Sequence, residues 1–227
     1  MSVDPRGGVV LQDGRTLLLK GARLPRGTEQ APELAEMARL ALSGWIAGQD
    51  LFARIDSGPP DRWGRNPARL WLSDTAGAPA AIAAGLIEAG WALAAPETAE
   101  PACLPLHYRL ELKARGANLG LWSDAHYRPV EATDMDKLHA RSGQYLIVEG
   151  KLVSARRWRT LTFLNFGTGR GKGLSASISA RARKAFEAAG QAPESLAGKR
   201  LRLRGLLEIR NGARMAISGP QFVEVID

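Results

Sequence analysis

The chain has 227 residues, 45% of them hydrophobic and 24% charged, which suits one or two packed domains and excludes a disordered chain. A single cysteine, Cys103, excludes internal disulfides and thiolate-rich zinc sites, and His107, His126 and His139 share no metal-ligand spacing. The formal net charge is +8, and no uncharged apolar run reaches the ~18 residues that a membrane helix needs.

In chain order, the short apolar pieces 9–11 and 16–19 flank Asp13-Gly14, a hairpin turn signal. Pro25 and Gly27 then interrupt the chain. Pro32 opens a helical stretch over 33–48, where Leu34, Met37, Ala38, Ala41, Leu42 and Trp45 fall near helical spacing. Alternation over 49–56 predicts a strand with Leu51, Ala53 and Ile55 on one face. After the turn-rich 57–67, residues 68–73 read as the returning strand. Helices are predicted over 78–89, closed by Gly90, and over 104–119. Residues 125–142 are polar, carry Pro129 and lack periodicity, so they read as a linker.

Beyond the linker, 145–154 and 160–166 are expected to pair across a turn at 155–159. A glycine-rich basic loop follows at 167–173, then a short helix at 180–189. Strands over 199–209 and 214–218 join through Asn211-Gly212, and 222–226 closes the chain. Five short strands with one intervening helix suit a small closed or partly closed barrel of the OB type. The order alone also allows other α+β arrangements.

The charge is unevenly placed. Residues 1–141 hold 16 Lys/Arg against 17 Asp/Glu, while 142–227 hold 15 against 6. A basic domain points to a polyanion partner, because cationic groups release counterions from a phosphate backbone. The competing explanation, an Arg-rich composition throughout, does not account for the local scarcity of acids.

Four pieces of the first half carry a resemblance. They are Asp13-Gly14-Arg15 running into Thr16-Leu17-Leu18-Leu19-Lys20-Gly21-Ala22-Arg23-Leu24-Pro25-Arg26; Asp61-Arg62-Trp63-Gly64-Arg65; Leu86-Ile87-Glu88-Ala89-Gly90-Trp91-Ala92; and Gly120-Leu121-Trp122-Ser123. Together, over about residues 9–124, they resemble the staphylococcal nuclease-like (thermonuclease) family, an OB-type barrel with added helices. The later segments Thr160-Leu161-Thr162-Phe163-Leu164-Asn165-Phe166-Gly167 and Leu201-Arg202-Leu203-Arg204-Gly205 look like the OB-type domain appended to some bacterial members. The resemblance implies phosphodiester hydrolysis with a Ca²⁺ on aspartates, a Glu beside the attacking water and two arginines on the phosphate.

Anchored on Gly21 and Pro25, however, the positions of the first arginine, the metal aspartate and the glutamate are Leu18, Arg23 and Arg26. Arg65 alone matches, at the second phosphate arginine. Two cations beside a Ca²⁺ would repel it by about 4 kcal/mol per charge pair at 4 Å and an effective dielectric of 20. The expectation is therefore no cofactor, with Ca²⁺ required only by the enzyme alternative. In that alternative a different acid, Asp13, Glu29 or Glu33, serves the water. Arg23, Arg26 and Arg65 are a candidate phosphate cluster, against the plainer reading of solvated loop residues.

In the basic C-terminal part, Arg156-Arg157-Trp158-Arg159 at the expected turn combines a stacking ring with phosphate ligands; the plainer reading is a barrel-end cover. The 167–173 loop lacks the spacing of a nucleotide P-loop. Alternation puts Arg200, Arg202 and Arg204 on one strand face, with Leu201 and Leu203 toward the core, as part of a groove for nucleic acid or as a solvated outer face.

The sequence thus predicts a mainly β, α+β protein: a nuclease-like barrel over 1–124, a linker over 125–142 and a basic OB-type barrel over 143–227. The expected activity is non-catalytic binding of single-stranded nucleic acid or another polyanion, mainly through the second barrel. The alternatives are a thermonuclease-related phosphodiesterase and a scaffold or envelope module that binds a protein partner. The expected site residues are Arg23, Arg26, Arg65, Arg157, Trp158, Arg200, Arg202 and Arg204. With no apolar segment in 1–8, a cytoplasmic location is expected, or a periplasmic or secreted one if a leader has been removed.

Overall fold

The structure, a computed structural model, describes residues 1–27, 32–73, 80–169 and 171–226. The chain forms two compact units, Met1–His126 and Tyr127–Asp227. Among the described residues no helix is long and apolar enough to cross a membrane.

In unit 1, β1 (Ser2–Val3), β2 (Val9–Val10), β3 (Thr16–Leu19), β4 (Ala22–Arg23), α1 (Pro32–Ile46), β5 (Leu51–Ile55), β6 (Asn66–Leu72), β7 (Ala80–Ala81), α2 (Ile82–Glu88), β8 (Leu93–Ala94) and α3 (Leu104–Gly116) follow in order. The main sheet runs β1-β2-β3-β6-β5, with β7 on β6, and β4 pairs separately with β8. The Asp13-Gly14 hairpin forms as expected, with Val9 opposite Leu17 and Val10 opposite Thr16. β3 and β6 are parallel, Leu19 opposite Ala68, so α1 and β5 make the crossover that parallel pairing requires.

Pro32 stands at the first turn of α1, where its missing N–H costs nothing. Leu34, Ala38, Leu42 and Ile46, four apart, form the buried stripe of that helix. Fully burying a side chain such as Leu42 or Ile46 contributes roughly 1.5–3 kcal/mol. α2 is shorter than the expected 78–89, because Ala80 and Ala81 pair with Leu72 and Trp71; residues 78–79 lie outside the described residues. α3 stops at Gly116, and the chain then turns through Asn118 and Gly120, each at φ 52°. Gly120 meets Gly90 backbone to backbone: a Cβ on Gly90 would lie 2.3 Å from the Leu119 carbonyl oxygen. The Leu121 N–H donates to the Gly90 carbonyl at 2.9 Å, which seats Leu121 and Trp122 in the interior.

In unit 2, β9 (Val130–Glu131), α4 (Met135–Ala140), β10 (Tyr145–Lys151), β11 (Ser154–Trp158), β12 (Leu161–Asn165), β13 (Ser175–Ser179), α5 (Ala180–Ala188), β14 (Arg200–Ile209), β15 (Ala213–Ile217) and β16 (Val223–Val225) follow. Strand order is β11-β12-β13-β15-β14-β10-β9, with β16 on the other side of β14. β10 continues into β11 through Leu152-Val153, so one chain segment pairs with β14 by its first half and with β12 by its second. β13 and β15 are parallel, Ala176 opposite Met215, and the remaining neighbours from β11 round to β10 are antiparallel. α5 lies between β13 and β14 in sequence, capped by Ser179 Oγ, which accepts from the Ala182 N–H at 3.2 Å. Leu164, Ile178, Phe186, Leu201 and Leu203 meet in the core.

Two expectations are corrected. The 125–142 segment is no free linker: β9 adds in parallel to β10, Val130 opposite Val148, and α4 buries Leu138. Val130, Ala132 and Leu138 belong to one core, but they come from a strand, a turn and a short helix, so no single period links them. Residues 155–158 are not a turn but β11 itself, and the turn is only Arg159-Thr160, with Arg159 at φ 51°.

Candidate nucleic-acid interface

The unit 1 candidates meet in one cavity of about 870 Å³. Leu18, Arg23, Arg26 and Arg65 all line it, together with Trp63 and three carboxylates, Glu36, Asp61 and Glu97. The loop before β6 explains Arg65. Asp61 Oδ1 accepts from the N–H groups of Trp63 and Arg65 at 2.9 and 3.0 Å, and Gly64 at φ 76° closes the turn. Asp61 Oδ2 takes Arg65 Nε at 2.9 Å and Nη2 at 2.8 Å, a two-pronged grip. Burial pushes the Asp61 carboxyl up, but the Arg65 side chain and those backbone N–H groups outweigh it and hold it below the usual range. The Trp63 ring, 40% exposed, is faced by Arg62 at 3.9 Å, Arg65 at 5.0 Å and Arg6 at 5.9 Å.

The other two acids are also engaged, Glu97 with Arg23 and Glu36 with Arg39. No group of three or more His, Cys, Asp or Glu able to hold a metal occurs among the described residues. Of the alternative acids, Asp13 pairs with its neighbour Arg15 at 2.7 Å in solvent, Glu33 is exposed on α1 outside the cavity lining, and Glu29 lies outside the described residues.

In unit 2 the expected arginine row on β14 is a correction. The alternation holds, but the face is not an open cationic groove. Arg202 stands directly opposite Glu149 on β10 and Glu224 on β16. Its guanidinium reaches them at 2.7 and 3.5 Å. Arg204 is 1% exposed and donates to Glu224 at 2.8 Å, and Arg200 pairs with Glu131 at 2.7 Å. Three acids meet three arginines, so this ladder is electrically neutral. Unit 2 holds 18 Lys/Arg and 9 Asp/Glu, and its whole excess of +9 therefore sits elsewhere.

Part of that excess surrounds the outer face of β11, β12, β13 and β15. Thr162 and Leu164 point into the core, so Leu161, Phe163 and Asn165 point out. The pairing sets two rows across that face. One is Ser154, Asn165, Ser175, Arg214; the next is Arg156, Phe163, Ser177, Ala216. Trp158 follows on β11, 60% exposed, with the Arg159 guanidinium 4.6 Å from its ring. Arg157 is exposed, but alternation sets it on the other face of β11 from Arg156 and Trp158. Among the described residues neither Arg156 nor Arg214 carries an ion pair.

A cavity of about 510 Å³ opens on this face, lined by Ser154, Arg156, Asn165, Ser175 and Arg214, by Gly167, Thr168, Gly169, Gly171 and Gly173, and by Asn211, Gly212 and Ala213. The glycines of the 167–173 loop have a steric reason. A Cβ on Gly167 would lie 2.5 Å from the Lys172 carbonyl carbon, and one on Gly173 2.8 Å from the Gly167 nitrogen. They let the two ends of the loop touch; Arg170 lies outside the described residues. Phe163, Asn165, Ser175 and Arg214 were missed in the sequence. Period-2 alternation along 161–165 marks the first two, but the row that joins them to Ser175 and Arg214 exists only in the strand register.

No protein family with a known profile matches the chain. Over 105 residues the chain is 32% identical to Protein ParB of Escherichia coli. That stretch is 43% of this chain and 56% of the other protein, so the chain spans about half the length of the relative it matches.

Proposed function

We propose that the protein binds single-stranded nucleic acid through the outer face of β11, β12, β13 and β15, and does not cleave it. One observation carries the reading: Phe163 and Trp158 stand on adjacent register positions of one sheet face, flanked by Arg156 and Arg214, which among the described residues carry no ion pair. Aromatic rings give bases a stacking surface, and unpaired guanidiniums take phosphates. A strand order in which the first strand bends to pair with both the second and the fourth, with a helix between the third and fourth, supports an OB-type barrel. In such barrels the strand 2–3 face, the loop joining strands 1 and 2, and the loop joining strands 4 and 5 bind oligonucleotides. Here these are β12 and β13, Arg159-Thr160 and 210–212.

We read unit 1 as a staphylococcal nuclease-like barrel with a dismantled site. A Ca²⁺-dependent phosphodiesterase is favoured by one observation, that Leu18, Arg23, Arg26 and Arg65 share one cavity. The residues do not fit the metal. Each carboxylate of that cavity is engaged by an arginine, and the positions that the resemblance assigns to acids are guanidiniums.

The experiment is a titration of a labelled single-stranded oligonucleotide with the full chain at several salt concentrations. Affinity should fall with salt, and Arg156→Ala with Arg214→Ala should each flatten the log–log slope by about 0.7. Arg200→Ala should leave the slope unchanged. A salt-independent affinity, or no binding, overturns the reading.

A further inference from the structure

The row that crosses the binding face contains a carboxamide held from both sides. Asn165 Nδ2 donates to Ser154 Oγ on β11 at 3.4 Å, and Ser175 Oγ on β13 donates to Asn165 Oδ1 at 3.0 Å. All three line the cavity on this face. A carboxamide has two N–H donors and two acceptor lone pairs. Its neighbours across the sheet lie to either side, and each takes one group on its own flank. What remains is one N–H and one lone pair, side by side on the edge turned away from the sheet, because side chains stand roughly perpendicular to it.

That edge has a specific complement. A phosphate or sulfate oxygen is only an acceptor, and the carboxamide oxygen would repel it. A nucleobase edge carries a donor beside an acceptor, the pattern that Asn and Gln engage in a bidentate pair. The spacing also fits. Phe163 is two residues from Asn165 on the same face, roughly 7 Å along the strand. A base stacked on Phe163 brings its edge to the amide, while Arg156 and Arg214 flank it for the phosphates. A cavity of about 510 Å³ holds such a ring.

We propose that Asn165 is the base-reading residue of this interface, with Ser154 and Ser175 as its positioning residues, so that the partner is a base-carrying strand and not a base-free polyanion. This rests on the binding face described above. It adds that hydrogen bonding to bases, beyond stacking and charge, sets the preference.

The test compares, by fluorescence anisotropy with the full chain at one salt concentration, the four homopolymeric DNA 12-mers, an abasic 12-mer and heparin. At least one homopolymer should bind about tenfold or more tightly than the abasic strand. Asn165→Ala should remove most of that homopolymer's advantage over the other three while leaving abasic affinity within about twofold. The Ser154→Ala/Ser175→Ala pair, which keeps the amide but frees its rotation, should remove part of it. Equal binding of base-carrying and abasic strands by the unaltered protein, which needs no variant to fold, overturns the inference and leaves a charge-led interface standing. An advantage retained in folded Asn165→Ala, judged by its unfolding transition, overturns it too. Binding to none of the strands overturns both this inference and the function beneath it.

Discussion

Arg204 and Glu224 form a charge pair inside unit 2: the guanidinium is 1% exposed and meets the carboxylate at 2.8 Å. Arg202 shares the same carboxylate at 3.5 Å and reaches Glu149 at 2.7 Å. Removing one member of a buried pair strands the other charge, at a cost of about 3–5 kcal/mol. Arg204→Ala should therefore lower the unfolding midpoint of unit 2 by more than about 10 °C, seen by calorimetry. Where the variant is still folded, its oligonucleotide affinity should be close to that of the parent. An unchanged midpoint with lost binding would return this arginine to the ligand groove.

In the proposed interface, Trp158 and Phe163 would supply the stacking. Trp158→Ala and Phe163→Ala should each weaken single-strand binding by about 1–3 kcal/mol without changing its salt slope, because neither removes a charge. Titrations at two salt concentrations separate this from loss of a phosphate contact. A ring deletion that leaves affinity intact would reduce Trp158 to a cover for the barrel end.

Unit 1 should not cut nucleic acid in Ca²⁺. Incubating the chain with single-stranded DNA, Ca²⁺ and an active nuclease control should show intact substrate in the protein lanes. Cleavage that a chelator abolishes would mean that Asp61, Glu36 or Glu97 leaves its arginine to serve a metal.

His107 is buried on α3 against Gly21, where a Cβ would lie 2.7 Å from the imidazole Cε1. Burial pushes its pKa below the ordinary 6.5, and the Gly21 backbone and the Glu111 carboxylate pull it back only in part. The unfolded chain takes up a proton near pH 6.5 that the folded one refuses. Stability should thus be unaffected by this group well above that pH. It should fall as the pH drops below it, with a slope of at most about 1.4 kcal/mol per unit, until the folded pKa is reached. Chemical denaturation at pH 7.5 and 5.5 should show this loss, and His107→Gln should lessen it. Equal slopes in both proteins would exclude the histidine as the cause.

The sequence determined the local matters. Asp13-Gly14 and Asn211-Gly212 form their hairpins, with Asn211 and Gly212 at positive φ. Pro32 starts its helix, and alternation on β14 separates Arg202 and Arg204 from Leu201 and Leu203. The basic excess of the C-terminal part is likewise a property of composition. Such features depend on neighbours a few residues apart, whose sterics and periodicity are written in the chain. Which charges remain unpaired was decided only by the tertiary structure. Glu131, Glu149 and Glu224 lie 69, 53 and 20 residues from the arginines they meet; strand register sets Glu149 and Glu224 opposite Arg202, and the sheet brings Glu131 of β9 and Glu224 of β16 within reach of Arg200 and Arg204. The same register lines up Ser154, Asn165, Ser175 and Arg214 from four strands. A one-residue slip would turn every one of these side chains to the other face, which is why their partners are settled by the fold and not by spacing in the chain.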